Sequence, residues 1–140
     1  MPRSYTSLTL DDAKRMLSAA EAKAASLRIA YNIAVVDAGG HLLAFVRQDG
    51  ALIGSIDLAI GKAVTARIFD KRTSDLAALA QPGAPLYGIE QSNRGRVVIF
   101  GGGLPVRLDG SIVGAVGASA GTVEQDIAVA EAAAVAVSDG

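Results

Sequence analysis

The 140-residue chain has no cysteine and no tryptophan. Without thiols there is no disulfide framework, no cysteine nucleophile and no zinc–sulfur centre. Aromatic residues make up only 4% of the chain although 51% of it is apolar, so the core must be Ala, Val, Ile and Leu. Charge is scarce and balanced, with 13 basic and 14 acidic residues and a net charge of −1. No basic stripe interleaved with stacking aromatics is present, which argues against a nucleic-acid surface. Histidine occurs once, at position 41, so neither a metal cluster nor a Ser–His–acid triad is legible. No apolar run spans a membrane, and "MPRSYTSLTLDDAKRM" lacks the apolar stretch of a secretion signal. These absences predict a cytoplasmic protein, a single domain over 1–140, with no nucleic-acid and no membrane partner.

What is present has clear periodicity. "SLTLDDAKRMLSAAEAKAASL" predicts a helix capped by Thr9, with Asp11 and Asp12 at its positive end. Leu10, Ala13, Leu17, Ala20, Ala24 and Leu27 form its apolar stripe. "RIAYNIAVVDAGGHLLAFVRQDG" reads as a hairpin turned at Gly39–Gly40, and "GSIDLAIGKAVTARIFD" as a helix capped by Ser55. "TSDLAALAQPG" adds a helical turn or two, "QPGAPLYGIEQSN" is loop, and "RVVIFGGG" predicts a further strand. "LPVRLDGSIVGAVGAS" is a second hairpin turned at Asp109–Gly110. Thr122 and Gln125 form a capping box for the last helix, "VEQDIAVAEAAAVAVS". Five strands in hairpins and three main helices predict an α+β fold, an antiparallel sheet covered by helices.

Two of these helices carry too little polar surface. The one bearing Ile56, Ile60, Ala63 and Val64 also has Leu58, Thr65 and Phe69 on its other side. After Asp126 the last helix has only Glu131 as a strongly polar residue before Ser138. A second copy covering the spare face is the simplest solution, which predicts a homo-oligomer.

The chemistry-bearing candidates each have two readings. The Gly101–Gly103 run is neither a Walker A loop nor a Rossmann fingerprint. It serves either chain geometry or ligand contact, and Gly114 and Gly117 within a strand imply a bulge or a close approach. "SAGT" ahead of the last helix leaves N–H groups that suit an anion or carboxylate. Lys62, in an apolar helix, is a base, a partner for a ligand carboxylate, or a side chain that snorkels to solvent or pairs with an acid. Arg47 and Asp49 either pair with one another or line a pocket. Glu124 and Asp126 complement the helix dipole, with acid–base catalysis by Asp126 as the alternative. His41 is an exposed turn residue or a ligand. Together, Lys62, Arg47, Gly101–Gly103 and the last helix's start outline an inter-subunit pocket for a small molecule, suited to proton transfer beside a carbonyl.

"IAVVDAGGHLLAFVRQDGALIGSIDLAIGKAVTARIF" and "GGGLPVRLDGSIVGAVGASAGTVEQDIAVAEA" resemble the two signature blocks of the GlcG/HbpS family, the haem-degrading or DUF336 domain. The resemblance covers almost the whole chain. It implies a profilin-like core, a five-stranded antiparallel sheet with helices on both faces, assembled into oligomers such as octamers. It also implies haem or another tetrapyrrole as ligand, and haem degradation in some members. Asp37, Arg47, Asp49, Lys62 and Asp126 match the family's recurring polar positions. Haem iron takes His, Met, Cys or Tyr, and this chain offers His41, Met1, Met16, Tyr5, Tyr31 and Tyr87.

Overall fold

The computed structural model describes residues 1–138. The last two residues of the domain expected over 1–140 therefore lie outside the described residues.

Helix α1 (Leu10–Leu27) begins as its sequence requires. Thr9 accepts from the Asp12 N–H at 3.2 Å, and the Asp12 carboxylate accepts from the Thr9 N–H at 2.8 Å. Its buried stripe is Ala13, Met16, Leu17, Ala20 and Ala24, whereas Leu10 is exposed. A hairpin follows, β1 (Asn32–Asp37) and β2 (Leu42–Arg47), in which Gly40 supplies the left-handed residue. Helix α2 (Ser55–Ile68) comes next. Its N-cap is Gly54 and makes no side-chain capping bond, so the expected Ser55 cap is corrected: Ser55 is the first helical residue and is buried. Helix α3 (Thr73–Leu79), a 3-10 turn at Ile89–Gln91 and the single turn α4 (Ser92–Gly95) lead to a second hairpin, β3 (Gly103–Leu108) and β4 (Ser111–Ser119). Asp109 and Gly110 both take positive φ at its tip, as a two-residue turn of this kind demands. Thr122 and Gln125 form the expected capping box of α5 (Val123–Val135).

The strands make one antiparallel sheet in the order β2-β1-β4-β3. It has four strands, not five. The segment read as a strand in "RVVIFGGG" is not a strand before Gly103, and its one link to the sheet there is the Gly102 carbonyl accepting from the Ala118 N–H at 3.0 Å. Its Val98 N–H donates to Thr65 Oγ1 at 3.0 Å, and Val97 is buried. Val98 there packs against Gly61 of α2 rather than extending the sheet, while Phe100 is exposed. Contacts along α2 won over a strand-like composition.

Central β1 is buried on both faces and shows how the layers divide. Ile33 and Val35 face the larger core, shared with α1 and α5, while Ala34 and Val36 face α2. Helices on both faces of an antiparallel sheet are thus as expected. Among the described residues, no helix is long and apolar enough to cross a membrane.

Candidate functional site

The glycines decide where α2 lies. A Cβ on Gly117 would stand 2.1 Å from the Ala59 carbonyl oxygen, and one on Gly103 would stand 2.4 Å from that of Lys62. Hydrogen atoms alone let the α2 backbone rest on β3 and β4, the close approach by another backbone that glycine within a strand implied. Gly102 has φ +122 and lies beside the end of the Lys62 side chain, where a Cβ would come within 2.9 Å of Nζ. Gly101 gives way to Val123 and Ile127 of α5. The Gly101–Gly103 run thus has an architectural role, admitting a lysine and a helix.

Through that gap Lys62 reaches the far side of the sheet end. Its Nζ donates to the Ala118 carbonyl at 2.9 Å and to Asp126 Oδ2 at 2.8 Å. Lys62 is 2% exposed. The other oxygen of Asp126 accepts three more bonds, from the Tyr31 hydroxyl at 2.8 Å, Gly121 N–H at 2.9 Å and Ala120 N–H at 3.1 Å. The N–H groups ahead of the last helix do hold a carboxylate, and it is the chain's own. The Thr122 N–H is likewise taken, by Gln125 Oε1. Burial raises the pKa of Tyr31, and the Asp126 carboxylate raises it further. The trio is an internal hydrogen-bonded network, in which a buried charge pair is also held by the Ala118 carbonyl, the Tyr31 hydroxyl and two backbone N–H groups.

The remaining candidates lie elsewhere. His41 is exposed in the first hairpin turn, where its N–H and that of Gly39 donate to Asp37 Oδ1. Arg47 and Asp49 are exposed at the opposite end of β2, and no ion pair joins them. Of the other possible iron donors, Met16 and Tyr31 are fully buried, while Met1, Tyr5 and Tyr87 are exposed. No group of three His, Cys, Asp or Glu suited to a metal ion occurs among the described residues.

The sequence reading missed a different feature. At the end of the sheet where both hairpins turn, two neighbouring cavities of about 380 and 440 Å³ share Tyr5 and Arg67 in their walls. The amino-terminal strap reaches this end because buried Leu8 donates its N–H to the Val113 carbonyl at 2.9 Å. Ser7 Oγ fixes it from the other side by accepting from the Ala38 N–H. Gly114 leaves room for Leu8, since a Cβ there would stand 2.5 Å from Leu8 Cδ1.

The class these features define is an α+β domain, a four-stranded antiparallel sheet between helical layers, with a buried lysine–aspartate pair under the start of the last helix. Residues 8–135 match the family described as haem degrading protein HbpS-like, and the chain belongs to that family. It is 48% identical to an uncharacterised 15.0 kDa protein of the dhaT-dhaS intergenic region of Citrobacter freundii, over 90% of this chain and 89% of that protein. Among solved structures it is similar to the Klebsiella pneumoniae protein ORFY of family DUF336, with TM-score 0.94 and 39% identity, over 96% of this chain and 93% of that one. It is also similar to a PduOC:heme complex, with TM-score 0.90 and 38% identity, over 94% and 96% of the two chains.

Proposed function

We propose that this chain binds haem or a closely related tetrapyrrole. The observation that carries the reading is its likeness, along nearly the whole chain, to a domain solved with haem bound. The donor set fits. Tyr31 has its hydroxyl committed to Asp126 and Met16 is sealed in the core, but His41, Tyr5, Tyr87 and Met1 stand at the surface, where a ligand meets them without unfolding the domain. Haem, when bound, would supply an iron centre needing an axial donor of this kind. The protein's own part is to orient the ring and screen it from water. Saturable growth of a shifted Soret band during haemin titration tests the proposal, and His41→Ala alters that spectrum where His41 is the ligand. A haemin spectrum unchanged by excess protein overturns it.

The alternative of acid–base catalysis by Lys62 and Asp126 gains nothing from their geometry, since each already satisfies the other out of reach of a substrate. A homo-oligomer, up to an octamer, is supported by the exposure of Leu52, Ile53, Phe100, Val123 and Val135. Arg47 and Asp49 remain open for contact with a ligand held between copies. Sedimentation at micromolar concentration tests the assembly, and a stable monomer overturns it.

A further inference from the structure

We infer that the arginine-lined groove at the turn end of the sheet receives the carboxylates of the tetrapyrrole, an inference that rests on the function proposed above. Arg3, Arg67 and Arg107 line one cavity, from the amino-terminal strap, the end of α2 and the edge strand β3. Its only carboxylate is that of Asp70, which pairs with Arg67. Arg67 is further fixed by donating its Nε–H to the Ala38 carbonyl at 2.6 Å, which sets it between the two cavities. Arg3 lies 5.4 Å from the centroid of the Tyr5 ring and makes no ion pair, and Arg107 makes none either. Two guanidiniums therefore face the groove without an ion pair among the described residues, and Arg107 also borders a further cavity that holds Asp70, Asp75 and Glu131. The one acid of the adjoining cavity, Asp37, has its Oδ1 tied to the Gly39 and His41 N–H groups.

Three elements distant in sequence thus bring positive charge to one concave surface, with an exposed tyrosine as its wall. Guanidinium forks are the side chains best matched to carboxylates. A flat ring with two acidic arms fits this arrangement: arms toward Arg3 and Arg107, ring against Tyr5. Both arginines are exposed and neither makes an ion pair among the described residues, so replacing them leaves the core untouched.

The test is a haemin titration of the wild-type protein and of the Arg3→Gln/Arg107→Gln double variant, followed in the Soret region, with haemin dimethyl ester alongside. The expected result is haemin binding at least about tenfold weaker in the variant, since hydrogen bonds to charged groups contribute on that scale. The ester should bind both proteins equally weakly, and added salt should weaken haemin binding to the wild type more than to the variant. Equal haemin affinity for the two proteins overturns the groove as the carboxylate seat while leaving tetrapyrrole binding intact. Absence of haemin binding by the wild type overturns both readings. Succinate and inorganic phosphate, assayed by thermal shift, separate the possible sources of the anion. An arginine-dependent stabilisation by either, without haemin binding, makes the groove a small-anion site and overturns its assignment to a tetrapyrrole.

Discussion

Lys62 and Asp126, 64 positions apart in the chain, meet at 2.8 Å with their side chains only 2% and 6% exposed. The pair joins α2 to α5 across the end of the sheet, so it clamps the layer on one face to the layer on the other.

Removing the cation should be severe. Lys62→Met leaves a carboxylate in a dry site, and breaking such a pair on one side costs about 3–5 kcal/mol. The three donors that Asp126 keeps set the expectation at the lower end. A melting point lower by about 10 °C follows for a domain of this size. The double variant Lys62→Met/Asp126→Asn should recover part of the loss. Urea unfolding of the three proteins measures this, and a single variant as stable as wild type would refute it.

Tyr31 gives the pair an alkaline limit. Its folded-state pKa is raised, by burial first and the Asp126 carboxylate second, so the folded protein favours the neutral phenol. The stability it contributes is complete below the ordinary tyrosine value of about 10 and is lost as pH rises from there toward the folded value. Tyr31→Phe should be less stable at neutral pH by about 1–3 kcal/mol, because Asp126 loses a buried donor. Its stability should also fall less steeply above pH ~10. Matching alkaline slopes in the two proteins would contradict this.

The close contact of α2 with the sheet makes a sharper prediction. Gly117→Ala places a methyl against the Ala59 carbonyl, with overpacking costs at or beyond the top of the usual range of about 1–3 kcal/mol. Gly54→Ala meets nothing within 4 Å and should change stability by less than about 0.5 kcal/mol. Comparable denaturation midpoints for the two variants would show that α2 does not depend on the missing side chain.

At the other end of the domain, Thr9→Ala removes the α1 cap and should cost about 1 kcal/mol. The bond from the Thr9 N–H is the main cause of the lowered Asp12 pKa, so the contribution of that carboxylate is present at neutral pH and is lost as pH falls through the lowered value. The variant keeps that N–H and, of the bonds to the carboxylate, loses only the one from the Thr9 hydroxyl to Asp12 Oδ2 at 2.9 Å, a lesser cause of the lowering. The difference between wild type and variant, read from urea midpoints, should therefore narrow slightly in acid. A constant gap would count against the capping box.

Local signals were readable in the sequence and long-range ones were not. Caps at Thr9 and Thr122 and the Asp109–Gly110 turn depend on residues within a few positions, so their chemistry can be read directly. Lys62 and Asp126 each stood out as polar residues in apolar helices, and pairing with some acid was one of the readings for Lys62. Their mutual contact was invisible because the fold alone brings them together. Tyr31 carries no local mark of its bond to Asp126. The segment before Gly103 has strand composition, yet contact with α2 prevailed. Arg3, Arg67 and Arg107 escaped notice because single arginines spread over three elements read as ordinary solvated surface.

Where α2 crosses β3 and β4, its seam with the sheet is drawn in main-chain atoms at Gly103 and Gly117. A seam of that kind has no side-chain volume to trade, so drift on this side is confined to the helix. The opposite layer, with Met16, Leu17, Leu104 and Val129, can exchange one bulky residue for another. The two faces of one sheet therefore differ in how freely the sequence can wander, and the rigid face is the one that holds the lysine.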